Sequence, residues 1–107
     1  MGGAQRPLAV ELSNGLQHLP FSTKQIARAK ALTKDLRAHL HAFSAQTHET
    51  SAIAAAIAYA IVFVNQVPLS AAEVAAPFRI SATRLRAAFE LLRAELDLTR
   101  ADVRYKS

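Results

Sequence analysis

The side chains that could do chemistry fall into two sets, and neither has the arrangement of a catalyst. The first is four histidines, His18, His39, His41 and His48. His39 and His41 stand two apart in a helical stretch, a spacing that turns them in different directions. His48-Glu49 opens like the helix of a zinc protease, but the second histidine would fall at position 52, where Ala52 stands. Cysteine is absent, which removes thiolate metal sites, disulfides and cysteine nucleophiles together. No glycine-rich phosphate loop or nucleophile elbow occurs. The few acidic residues are scattered and mostly sit near Lys or Arg. The expectation is a chain that uses no metal or cofactor and is not an enzyme.

The second set is basic and hydroxyl-bearing: Arg79, Ser81, Thr83, Arg84, Arg86 and Arg93. Its chemistry is anion recognition. Ser81 sits at a helix start, whose N–H groups suit a phosphate. The guanidinium fork of Arg86 matches the two acceptors on the edge of guanine. Arg79, Arg84 and Arg93 flank that face and could meet phosphates. Two residues point the other way: Arg79 stands where a helix-turn-helix usually has Gly, and Glu90 would face a polyanion. The plainer alternative is an exposed Arg86–Glu90 ion pair on a helix that only completes the core. The whole chain carries thirteen Lys+Arg against eight Asp+Glu, a net +5 that attracts polyanions.

Helices must position these groups. Alanine dominates, with Leu and Arg behind it, and three Gly and four Pro leave little turn chemistry for a β fold. A first helix follows Pro7, with Leu8, Leu12, Leu16 and Leu19 at helical spacing and Asn14-Gly15 interrupting it. Ser22 caps a second, with Gln25 completing the box and Phe21 stapled on Ile26. Its apolar face is Ile26, Ala29, Thr33, Leu36, Leu40 and Phe43; Lys30, Lys34, Arg37 and His41 form a separate stripe, read as a solvated face with a phosphate-contacting surface as the alternative. Thr47 can cap a third helix over 49–64, so rich in alanine that neighbours must pack on several sides. Its apolar part is too short to span a membrane. Ser70 with Glu73 and Leu69 with Val74 start a short fourth helix over 71–76, which Pro77 stops. Residues 78–80 form a turn, and Ser81 caps a fifth helix ending at Leu96, with Leu85, Ala88, Phe89, Leu92 and Leu96 inward. Thr99 and Asp102 hint at one further turn. The last two helices thus read as a helix-turn-helix-like pair.

The whole pattern resembles one cyclin-like repeat of the transcription factor IIB family. Ala29 and Leu32 sit where that family has an alanine-containing buried helix. SAIAAAIAYAIVFVNQVPLS, residues 51–70, resembles its central helix and Pro-containing connection, and SAAEVAAPFRISATRLRAAFELLRAEL, residues 70–96, resembles its closing helix pair. The similarity covers residues 8–98, leaving 1–7 as an N-terminal tail and 99–107 as a basic C-terminal tail. It implies an all-α, five-helix cyclin fold that binds promoter DNA, with the TATA-binding protein or RNA polymerase as partners and Ser81, Thr83, Arg84 and Arg86 facing DNA. Family members carry two repeats and a zinc ribbon; here there is one repeat and no Cys, which fits a single-repeat relative acting as a homodimer or cofactor. The expected setting is the cytoplasm, associated with the nucleoid, or the nucleus. A protein-interaction module built on the same fold is the rival reading.

Overall fold

Helix starts in this chain carry polar side chains that close back on their own backbone. In the computed structural model, which describes residues 8–36 and 50–106, five α-helices follow one another: α1 Leu8–Leu16, α2 Thr23–Leu36, α3 Thr50–Asn65, α4 Ala71–Ala75 and α5 Ala82–Leu96. A 3-10 turn, Ala76–Phe78, joins the last two, and the described residues hold no strand. The architecture is all-α. At α2, the Ser22 N–H donates to Gln25 Oε1 (2.9 Å) and the Gln25 N–H to Ser22 Oγ (3.1 Å). Both atoms of the box are satisfied, as the spacing predicts. The cap expected at Thr47, the start at Glu49, and Arg37, His39, Leu40, His41, Phe43 and His48 lie outside the described residues.

Helix α3 is the axis of the fold. Eleven of its sixteen residues are buried, among them Ala52, Ala54, Ala55, Ala56, Ile57, Ala58 and Ile61, so it has no solvent-facing stripe. It touches α1, α2, α4 and α5. Small side chains permit this, because an alanine leaves room for a neighbour's larger residue on every side. Extra methylenes here would cost about 1–3 kcal/mol in strain. Leu12 and Leu16 of α1, Leu32 and Leu36 of α2, Val74 of α4, and Leu85, Leu92 and Phe89 of α5 pack around it. Tyr59 and Phe63 meet the Phe89 ring edge-on, at 5.0 and 5.4 Å between centroids. No described helix is long and apolar enough to cross a membrane.

Two features depart from the sequence reading. Gly15 does not interrupt α1; it is buried, and a Cβ there would run into the Phe78 ring. The glycine is what lets α1 close against the α4–α5 turn. The segment beyond Leu98, expected as a tail, is folded onto the core. Leu98 and Tyr105 are buried, Tyr105 completely. The Tyr105 hydroxyl donates to Asp35 Oδ2 of α2 (2.7 Å), Asn65 Nδ2 of α3 donates to the Tyr105 carbonyl (3.3 Å), and the Ala101 N–H donates to the Val64 carbonyl (3.1 Å). The turn expected at Thr99 and Asp102 is present, with the Thr99 N–H on Asp102 Oδ2 (3.4 Å) and the Asp102 N–H on the Thr99 carbonyl (3.2 Å). Arg104 lies against Asp102 (2.8 Å) and also donates to the Leu96 carbonyl (2.7 Å). Those contacts tie α2, α3 and α5 together.

Candidate nucleic-acid interface

The α4–α5 pair is built by two caps and one unusual turn. Ser70 and Glu73 exchange hydrogen bonds: the Ser70 N–H donates to Glu73 Oε1 (2.8 Å) and the Glu73 N–H to Ser70 Oγ (3.1 Å). The Ser70 backbone N–H, and then its side chain, hold the Glu73 carboxyl below its ordinary pKa. Pro77 lies in the 3-10 turn that follows α4, where its missing N–H is not required. Arg79 then takes the left-handed conformation, φ 60° and ψ 41°. Its N–H donates to the Ala76 carbonyl (3.0 Å) and the Ile80 N–H to the Ala75 carbonyl (3.5 Å). That pair of bonds is a Schellman closure with Arg79 at the position that ordinarily favours glycine. The tight turn is therefore made without the glycine whose absence argued against it. Gln66 and Asp97 end α3 and α5 with the same positive φ, so this glycine-poor chain repeats the device.

Ser81 caps α5: its Oγ accepts from the Arg84 N–H at 3.1 Å. Its hydroxyl oxygen is occupied by that role, and the helix start is fixed by it. Leu85, Ala88, Phe89, Leu92 and Leu96 face the core. The opposite side carries Thr83, Arg86, Ala87 and Glu90, all exposed. No ion pair joins Arg86 to Glu90 among the described residues, so the surface pairing weighed as an alternative is not formed.

All six residues singled out from the sequence, Arg79, Ser81, Thr83, Arg84, Arg86 and Arg93, are exposed. They do not share one face. Arg79 and Arg84 open into a polar groove of about 450 Å³ between the turn and α1. Thr83 and Arg86 lie on the outward face of α5. Arg93 is in the last turn of α5, with its guanidinium carbon 5.1 Å from the centre of the Phe63 ring. Arg100 approaches the same ring at 5.7 Å. Both therefore form part of the packing around Phe63 through cation–π contact.

Sequence reasoning missed the contribution of α1. Asn14, Gln17 and His18 line the groove beside Arg79 and Arg84. The one available signal was Gly15, which reads as a site of close backbone approach once helix breaking is set aside. Among the described residues no group of three or more His, Asp or Glu side chains could hold a metal ion. Compared with known proteins, the chain matches no family model, no curated protein and no solved structure.

Proposed function

We propose that this protein binds duplex DNA through the α4–α5 pair and acts as a transcription initiation or regulatory factor with a cyclin-like fold of the transcription factor IIB kind. The observation that carries the reading is Arg86. It stands exposed as the fifth residue of α5, the helix that follows a tight left-handed turn, and no carboxylate among the described residues holds its guanidinium. A reading helix needs that combination of a fixed N-terminus and an uncommitted fork. The buried, alanine-rich α3 supports the cyclin-like part of the reading, since the resemblance places such a helix at the centre of the repeat. The TATA-binding protein and RNA polymerase are the partners that the resemblance supplies, in a nucleoid or a nucleus.

Titration of duplex DNA at several salt concentrations tests this. Affinity should fall steeply with salt, with a log–log slope of about −0.9 per phosphate contact. Arg86→Ala should cost about 1–3 kcal/mol on a preferred site and relax its sequence preference. Replacing Lys30 and Lys34 on α2 removes charge from another face and is the control. If that double change weakens binding as much as Arg86→Ala does, attraction is diffuse and α5 does not read DNA. If no duplex binds even at low salt, a protein-interaction role replaces this one. The shallow groove between α1 and α2, with Leu12 and Leu16 flanked by Lys30 and Lys34, is where such a partner would be sought.

A further inference from the structure

The groove between α1 and the turn collects groups from distant parts of the sequence. Asn14 comes from the last turn of α1, Gln17 and His18 from the turn that follows it, Arg79 from the α4–α5 turn and Arg84 from the first turn of α5. Their meeting is fixed by packing, because Gly15 gives the Phe78 ring room against the α1 backbone. The walls offer amide and guanidinium donors, which suit an oxyanion and not an apolar ligand. One carboxylate also lines the groove: Glu11, half-buried, accepts the Ser51 hydroxyl at 3.4 Å. Two guanidiniums against one carboxylate leave a single positive charge among the described lining residues. That net positive charge suits an anionic group such as a phosphodiester.

We propose that this groove is a phosphodiester site, filled by the backbone of the duplex that α5 reads, with Asn14 of α1 and Gln17 of the turn after it supplying neutral donors beside Arg79. The site rests on the DNA-binding reading for its occupant, though not for its chemistry. Neutral donors and cations leave different signatures. A cation that meets a phosphate releases counterions, so Arg79→Gly should weaken binding and make the salt slope shallower by about 0.9. Asn14 and Gln17 release none. The double change Asn14→Ala, Gln17→Ala should weaken duplex binding about fivefold with the slope unchanged, as expected for lost uncharged hydrogen bonds. Glu11→Gln keeps the side-chain shape and removes the opposing charge. It should tighten binding about threefold at low salt, an effect that added salt erases.

The deciding experiment follows backbone amide shifts of residues 14–18 and of Arg79 in the unsubstituted chain, using a random-sequence duplex and, separately, diethyl phosphate. Shifts with both, joined to the fivefold loss at constant slope, support the site. A duplex that binds without moving these amides, or that binds the α1 variant as tightly, overturns the groove site and leaves the α5 reading standing. Shifts with diethyl phosphate but no duplex binding keep the phosphodiester site and overturn DNA as its source. No shift with either probe overturns both.

Discussion

Arg79 in the α4–α5 turn and Arg86 on the outward face of α5 are exposed; from the end of α5 onward, Arg93, Arg100 and Arg104 lay their guanidiniums against the protein's own groups. Arg93 and Arg100 cover the Phe63 ring. Arg104 grips Asp102 and the Leu96 carbonyl and lies 5.1 Å from the Tyr105 ring centre. One residue type thus stands in two kinds of environment in one small fold. The net +5 is not one reservoir for polyanions, because part of it holds the closing segment in place. A guanidinium stacked on an aromatic ring or forked onto a carboxylate has already lost its rotational freedom and much of its hydration to that contact. The difference predicts that arginine changes at the turn alter binding with little or favourable effect on stability. Changes in the closing segment should do the reverse.

The largest effect is expected at Tyr105. Its ring is fully buried and its hydroxyl reaches Asp35. Burial first, then that hydrogen bond, holds the phenol protonated well above its ordinary range. Tyr105→Ala should cost about 3–5 kcal/mol in denaturant unfolding, the range for emptying a large aromatic site. DNA affinity of the folded fraction should hold. A cost below about 1 kcal/mol would show that the segment is not part of the core.

A smaller effect, with a pH signature, belongs to Asp102. The side-chain hydrogen bond from Arg104 lowers its pKa from an ordinary 3.8 to about 2, against a desolvation that raises it. A carboxylate whose folded pKa is depressed contributes stability above its unfolded pKa, and that contribution disappears as pH falls through the folded value. Asp102 is 8% exposed while the Arg104 side chain is 45% exposed, so solvent screening reduces the effect. Asp102→Asn should cost about 1–2 kcal/mol at neutral pH. The gap to the parent chain should close between about pH 4 and pH 2 in acid titrations of unfolding. A gap that persists unchanged at pH 2 would mean that the Arg104 contact contributes nothing.

The third expectation has the opposite sign. Arg79 and Ala101 both carry a positive φ, 60° and 57°, without being glycine. Relieving the Cβ crowding should outweigh glycine's added unfolded-state freedom, so each change to Gly should stabilise by up to about 1 kcal/mol. Thermal unfolding would measure it. Arg79→Gly should weaken duplex binding as it stabilises; Ala101→Gly should stabilise and leave binding alone. If the two variants bind alike, the turn arginine has no role in recognition.

Helix starts were legible in the sequence because an N-cap is decided within three residues. Ser22 with Gln25, Ser70 with Glu73, and Ser81 ahead of Arg84 all form the bonds that their spacing predicts. The buried character of α3 was legible too, since Ala52 to Val64 offers no polar face to water. The end of α5 at Leu96 was also legible, but the left-handed closures were not, because a residue such as Arg79 is set by which carbonyls its neighbours reach, whatever its own side chain. The list of candidate arginines came from the sequence, but their sorting into Arg86 outward, Arg79 and Arg84 toward α1, and Arg93 on Phe63 did not. Nor could the sequence bring Gly15 to Phe78, or Tyr105 across seventy positions to Asp35. Local backbone chemistry fixed where helices begin and that the fold is all-α. Which surfaces meet, and hence which charges remain open to a partner, was decided only by close packing between residues far apart in the chain.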